Sequence, residues 1–215
     1  MKEPFQAVRI KSRDEFEWLI EHLTHEAFRV RDHWEVWGAL DRSLDRYWEE
    51  LNQTPNFWEL TRRAHQDIVV LRLGRLFDPH AAAISLGSLL QTMKENAVAP
   101  SPLLAAVASL DLSELDKDMS SVSDGDAKVR KLLTLRNEYL AHRDSRHVAR
   151  GTFVSLPVLE REEVASLLDR ALEILQRYRE RLGFRPLGWG HYEVREFEML
   201  LELLHAGLQS RRGGG

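Results

Sequence analysis

The chain contains no cysteine among its 215 residues, which excludes a disulfide framework and any metal site built on thiolates. No apolar run approaches the roughly 20 residues that a membrane span needs. The N-terminus lacks the apolar core of a secretion signal. Positive charge is not in excess either, because the formal net charge is -4. We therefore expect a cytoplasmic protein without a membrane contact, whose contacts with any nucleic acid are local.

Hydrophobic residues make up 43% of the chain, which is enough to build an ordinary core. The length suggests one domain with an appendage. Residues 183–192 hold three glycines and a proline without a helical period, which is typical of a linker. We therefore divide the chain into a helical domain over 1–183, followed by a linker, a C-terminal helix and a flexible tail over 184–215.

Apolar residues recur at three-to-four spacing along most of the chain, which predicts helices. Ser12 and Glu15 fit a capping box, and Pro55 after Thr54 fits a helix start. Between 103 and 123 the pattern is weak, and 151–155 is the only strand-like stretch. The fold class predicted is all-α, an antiparallel helical bundle with a disordered tail over 211–215. The predicted helices cover about 12–51 (one helix or two collinear ones), 55–78, 85–96, 127–143, 161–182 and 193–208.

The helix predicted over 127–143 interrupts its own apolar stripe with a charge. Arg136 falls on the stripe formed by Val129, Leu132, Leu133 and Leu140. Arginine is seldom buried without a partner. The pattern therefore leaves two interpretations: Arg136 pairs with a carboxylate from elsewhere, or it belongs to a site for an anion.

The surroundings of this helix are strongly basic. Residues 128–150 contain seven basic and two acidic side chains, a local charge of +5 on a chain of net -4. Such an island suits a phosphate-bearing partner such as RNA. The basic residues are Lys128, Arg130, Lys131, Arg136, Arg143, Arg146 and Arg150, and the acidic ones are Glu138 and Asp144.

Arginine followed closely by histidine is a loose pattern that occurs three times here. Proline interrupts the first pair, Arg75 and His80, and proline with glycine interrupts the third, Arg185 and His191. Only Arg136 and His142 lie on an unbroken predicted helix with a polar residue, Asn137, after the arginine. This pair is therefore the best candidate site.

The segment Arg136-Asn137-Glu138-Tyr139-Leu140-Ala141-His142 resembles the signature of HEPN domains. More narrowly, the block 71–78 (LRLGRLFD), together with Leu135-Arg136-Asn137 and the block 140–144 (LAHRD), resembles the HEPN-like family linked to phage abortive infection, the U type. The resemblance covers roughly residues 12–182. It implies a HEPN-type helical fold with an extra C-terminal helix outside it.

Catalytic HEPN proteins are metal-independent endoribonucleases that act as dimers, so the resemblance implies attack by a ribose 2′-hydroxyl on the neighbouring phosphate, without a cofactor. His142 would be the general acid or base, since a histidine's usual pKa of about 6.5 suits proton transfer near neutral pH. Arg136 would hold the phosphate, and Asn137 would orient the phosphate or His142. The expected RNA-binding residues are Lys131, Arg143, Arg146 and Tyr139.

Helix geometry favours a homodimer. Six residues leave the Arg136 and His142 side chains about 120° apart and about 9 Å along the axis. A long side chain also leans toward the helix N-terminus, which moves Arg136 away from His142. An antiparallel two-fold pairing near Tyr139 would instead set Arg136 of one chain opposite His142 of the other.

Three hypotheses remain open. The first is a HEPN endoribonuclease that acts as a toxin or phage-defence effector, for which an antitoxin protein is a candidate partner. The second is a non-catalytic HEPN module that binds RNA, nucleotide or a protein, and the third is a purely structural helical dimer.

Other clusters favour ordinary structural roles. His22 and His25, with Glu21 and Glu26, fit a solvated face better than a metal site. The helical spacing of Trp34, Trp37, Trp48 and Trp58 predicts core positions rather than base-stacking ones. Asp78 before Pro79 is expected to end a helix, although Arg72 or Asp78 could pair with the motif.

Overall fold

The computed structural model describes residues 5–80, 82–98, 110–137, 158–185 and 195–213, and within them it contains helices and no strand. This confirms the all-α fold class. No helix within these ranges has the length and apolar content that a bilayer crossing requires. The helices are α1 Arg13–Arg46, α2 Trp48–Leu51, α3 Pro55–Leu76, α4 Leu86–Val98, α5 Leu112–Val122, α6 Ala127–Leu135, α7 Arg161–Arg181 and α8 Arg195–Gly213.

The helices begin where side chains can satisfy the free backbone N–H groups of a first turn. The Ser12 hydroxyl accepts a hydrogen bond from the Glu15 amide at 3.1 Å. Asp111 caps α5, and Asp126 caps α6 by accepting from two amides. Pro55 is the first residue of α3. The start signals predicted at Ser12 and Pro55 are therefore confirmed.

The structure decides between two predicted alternatives, corrects one prediction and leaves two stretches open. Over 12–51 there are two helices and not one, because the chain is not helical at Tyr47, where φ is -119° and ψ is 33°. The tail predicted to be disordered from residue 211 is helical to Gly213, because α8 continues to that residue. The second half of the helix predicted over 127–143, and the strand-like stretch 151–155, lie outside the described residues.

The chain forms two compact units, and the first comprises Met1–Phe28 and Val70–Gly188. Its core is mainly aliphatic, and three aromatic side chains within it are fully buried. Gly183 lies two residues after the end of α7. Its φ is 69°, a conformation that glycine adopts without strain. The largest fully buried side chains are Tyr178, Phe16, Phe77, Leu19, Ile20, Leu23, Leu73, Leu76, Leu86, Leu89, Leu90 and Met93.

The second unit comprises Arg29–Val69 and Trp189–Gly215. Tyr47, Leu51 and Leu201 form a small core against which Trp58 and Phe197 pack. Where α8 meets α2, His205 Nδ1 lies 2.6 Å from the buried Glu50 carboxylate. Burial alone would raise the pKa of Glu50, but the hydrogen bond to His205 and nearby charges lower it overall. The boundary predicted between 183 and 184 stays a prediction.

The tryptophan positions agree only in part with the predicted core. Trp37 is buried, and its ring packs edge-on against Trp34. Trp58 is half-buried in the small core of the second unit. Trp48 is wrong as a core residue, because 62% of it is exposed. The helix break at Tyr47 changes the face on which Trp48 lies, which helical spacing could not show.

Tyr178→Phe is expected to lower the free energy of unfolding by about 1–3 kcal/mol. The fully buried Tyr178 hydroxyl donates to Asp118 Oδ2 at 2.7 Å, and Arg177 donates to the same oxygen at 2.7 Å. Removing the hydroxyl leaves a partly buried carboxylate with one donor fewer. Urea denaturation measures the change, and an unaltered midpoint would show that this hydrogen bond contributes nothing net.

Candidate active site

Arg136 is held in place by the helix α3. Its Nη1 donates to the Gly74 carbonyl oxygen at 2.7 Å and to Asp78 Oδ2 at 2.8 Å. Its Nε donates to Oδ1 of Asn137 at 2.9 Å. The blocks 71–78 and 135–137 are far apart in the sequence, and both belong to the family resemblance. They are in direct contact in the fold.

The approach of Arg136 to α3 requires a glycine at position 74. A Cβ atom added there would lie 2.5 Å from Arg136 Cδ and 3.2 Å from Cγ. Such a separation is well inside van der Waals contact. Gly74 thus supplies both an acceptor, through its carbonyl, and the space in which the arginine side chain lies.

Asp78 explains how the apolar stripe of α6 tolerates a charge. The Arg136 side chain is 15% exposed and the Asp78 side chain 22%, so the pair is largely removed from water. The other Asp78 oxygen, Oδ1, accepts the His80 amide at 2.9 Å beyond the end of α3. Both interpretations of Asp78 are confirmed: it shapes the helix end and it pairs with the motif arginine.

A second ion pair lies on the same helix α3. Arg72 Nη1 donates to both carboxylate oxygens of Glu26, at 2.9 and 2.8 Å, and Arg75 lies 3.8 Å from the same carboxylate. Sequence reasoning missed this role of Glu26, which it assigned to a solvated face. The available signal was the charge of Arg72 within the family-like block, which calls for an acidic partner.

The described basic residues of the island all contact groups of the chain itself. Lys131 Nζ lies 2.8 Å from the Glu163 carboxylate, and this hydrogen bond lowers the pKa of Glu163. Lys128 donates to the Ser166 hydroxyl at 2.8 Å. Arg130 donates to two backbone carbonyls near the start of α6. The role of Lys131 in RNA binding stays a prediction.

Several predicted site residues lie outside the described residues. They are His142, Tyr139, Arg143 and Arg146. Among the described residues, the structure brings Arg136 and Asn137 together, with Asn137 exposed to solvent. What these two can do chemically is hold and orient an anion, because a guanidinium and an amide supply several N–H donors.

The face bearing His22 and His25 shows no grouping for a metal. Trp18 stacks on His22, with ring centroids 5.1 Å apart. Glu26, the nearest acidic candidate, is occupied by Arg72. Within the part of the chain that the structure describes, no three histidine or acidic side chains lie close enough together to share an ion.

One protein-family model matches most of the chain. Its description is AbiU2, of the HEPN type, and it aligns with residues 13–198. The match starts where α1 starts and continues into α8. The expectation that the resemblance ends near residue 182 is therefore wrong. Comparison with curated proteins and with solved structures finds no match.

Proposed function

The chain belongs to the AbiU2 family of HEPN proteins, and from this premise we propose that it is a metal-independent endoribonuclease that acts in phage defence by abortive infection. The observation that carries the proposal is the anchoring of Arg136 by Gly74 and Asp78. An arginine fixed before substrate arrives can stabilise charge in a transition state without first being reorganised.

In this proposal the ribose 2′-hydroxyl attacks the adjacent phosphorus and displaces the 5′-oxygen of the next nucleotide. A base removes the proton of the 2′-hydroxyl, and an acid protonates the departing 5′-oxygen. His142 performs one of these transfers. The products are a 2′,3′-cyclic phosphate and a free 5′-hydroxyl. No electron transfer and no co-reactant are needed.

Arg136 binds the phosphate through the part of its guanidinium that α3 does not use. Bonds to the described residues engage Nε and Nη1, so we place a phosphate oxygen at Nη2. Asn137 holds Nε through its amide oxygen, and in this proposal the NH₂ group of this exposed residue binds a second phosphate oxygen.

A second copy of the chain completes the site in this proposal. The bonds to Gly74 and Asp78 draw Arg136 toward α3 of its own chain. The helix predicted over 127–143 would place His142, six positions later, on a different side from Arg136. Antiparallel pairing near Tyr139 would bring Arg136 and His142 of different chains to one phosphate.

The proposal is tested by incubating the purified protein with RNA in excess EDTA. We expect cleavage with 2′,3′-cyclic phosphate ends, detected by mass spectrometry, and a loss of about 10²–10⁴-fold in rate for His142→Ala. His25→Ala is the matched control, since His25 is exposed on α1, outside the site. Cleavage by His142→Ala at the wild-type rate would sink the catalytic proposal.

A non-catalytic HEPN module is the second candidate, and one observation favours it. Lys128, Arg130 and Lys131 all contact groups of their own chain, which leaves fewer cations for an RNA backbone. This candidate predicts RNA binding without cleavage in the same EDTA assay. Its affinity should fall steeply as salt is raised, because phosphate contacts release counterions.

A further inference from the structure

Helix α8 presents an apolar face to solvent. Leu203 is 68% exposed, and Met199, Leu200 and Leu204 are exposed beside it. The adjoining side of α8 packs against the rest of the second unit through Phe197 and the fully buried Leu201. An apolar row of this kind on the outside of a folded chain is typical of a surface that binds another protein.

Charged residues of opposite sign flank this row on the same face. At about 100° of rotation per residue, Leu200 and Gly207 lie on one line along α8, with Leu203 and Leu204 on either side of it. Glu196 and Arg211 lie within about 30° of the same line, one near each end. Both are exposed. The α8 face, defined by these six residues, is thus acidic at its start, apolar in the middle and basic at its end.

Such a face is complementary to itself when reversed. The point midway between Glu196 and Arg211 lies between Leu203 and Leu204, within one residue of the centre of α8. We propose that a second copy of this chain docks on the α8 face, with the two α8 helices antiparallel about a two-fold axis at this midpoint. This is an isologous contact, in which the same face serves both chains.

The pairing follows from the register. Glu196 of each chain meets Arg211 of the other, and Leu203 and Leu204 meet their own counterparts at the axis. Leu200 of one chain meets Gly207 of the other, where a Cβ atom would find no heavy atom within 4 Å. A groove of about 310 Å³, lined in part by Leu203, Leu204 and Gly207, adjoins that point and can receive the leucine side chain.

This interface goes beyond the proposed nuclease and does not depend on it. The α8 face contains none of the residues placed in the active site. If both pairings form, each chain has two different self-complementary faces, and assemblies larger than a dimer result. RNA cleavage and assembly through α8 are therefore separate measurements, and either can fail alone.

Charge reversal tests the proposed pairing by sedimentation velocity over a range of concentrations. Glu196→Arg alone and Arg211→Glu alone are each expected to raise the dissociation constant about tenfold or more, since like charges then meet. The double variant Glu196→Arg with Arg211→Glu restores the pairing with its signs exchanged. Only self-association predicts this rescue, so a double variant as weak as the single ones would overturn the proposal.

An apolar variant and a crosslink complete the test. Leu203→Glu is expected to halve the mass of the wild-type assembly, whereas Leu60→Glu, at an equally exposed leucine on α3, keeps it. Because the chain has no native cysteine, Leu203→Cys under oxidising conditions should join two chains by one disulfide, and Leu60→Cys should not. Wild-type mass for Leu203→Glu, or no linked dimer for Leu203→Cys, would contradict the interface.

Discussion

Arg136→Ala is expected to slow RNA cleavage by about 10²–10³-fold, the cost of removing one preorganised donor from a transition state. The alanine variant leaves the Gly74 carbonyl and Asp78 in place but removes the guanidinium that they hold. The free energy of unfolding should fall as well, by about 1–3 kcal/mol, since a partly buried ion pair loses one partner. Single-turnover cleavage and urea denaturation measure the two effects separately.

Two further variants serve as controls for Arg136→Ala. Arg136→Lys keeps the charge but not the planar fork, so a single ammonium cannot hold Gly74, Asp78 and a phosphate together. We expect it to recover stability more than rate. Arg63→Ala removes an exposed arginine that pairs with Glu59 on α3, and it should leave cleavage unchanged. Wild-type cleavage by Arg136→Ala would show that the anchored guanidinium has no catalytic role.

Gly74→Ala is expected to slow cleavage by about 10²-fold, although it removes no functional group. The new methyl group would lie 2.5 Å from Arg136 Cδ, so the arginine side chain must move. Its guanidinium is bonded on both sides, and a displacement of about an ångström takes the donor away from the reacting phosphate. Helix propensity acts in the opposite direction, because alanine stabilises a helix interior by about 0.5–1 kcal/mol relative to glycine.

A double-mutant cycle separates these two effects of Gly74→Ala. In the Arg136→Ala background the Cδ atom is gone, so the added methyl meets no obstacle from it. There Gly74→Ala should leave the residual cleavage rate unchanged and should stabilise the fold. If Gly74→Ala slowed cleavage equally in both backgrounds, Gly74 would affect the rate in some way other than by leaving space for the Arg136 side chain.

The pairing of Arg136 with Asp78 could be predicted, because local rules leave Arg136 without an explanation. A charge on an apolar stripe requires a partner, and Asp78 lies in the block that the resemblance joins to the motif. Helix starts were equally readable, since a capping residue such as Asp126 acts within its own turn. These features depend on neighbours along the chain, which a sequence displays directly.

Features that depend on approach between distant segments were not predictable. The Arg136 side chain lies against Gly74, which is 62 residues away in the sequence. This contact is visible only when α3 and α6 are placed together. Glu26 was likewise assigned to solvent, because its partner Arg72 is 46 residues distant. The contact of Arg212 with Glu49 at 2.9 Å, near the end of α8, is likewise not visible from the sequence of that helix.

Asp78 links Arg136 to the backbone beyond the end of α3. Its two oxygens are divided between the Arg136 guanidinium and the His80 amide, so neither bond can change without affecting the shared carboxylate. In the proposed site, a phosphate bound at Nη2 would weaken the guanidinium's bond to Asp78 without breaking it, and the carboxylate would then hold the His80 amide more strongly. The chemical shift of the His80 amide would report an anion on Arg136, 56 positions away.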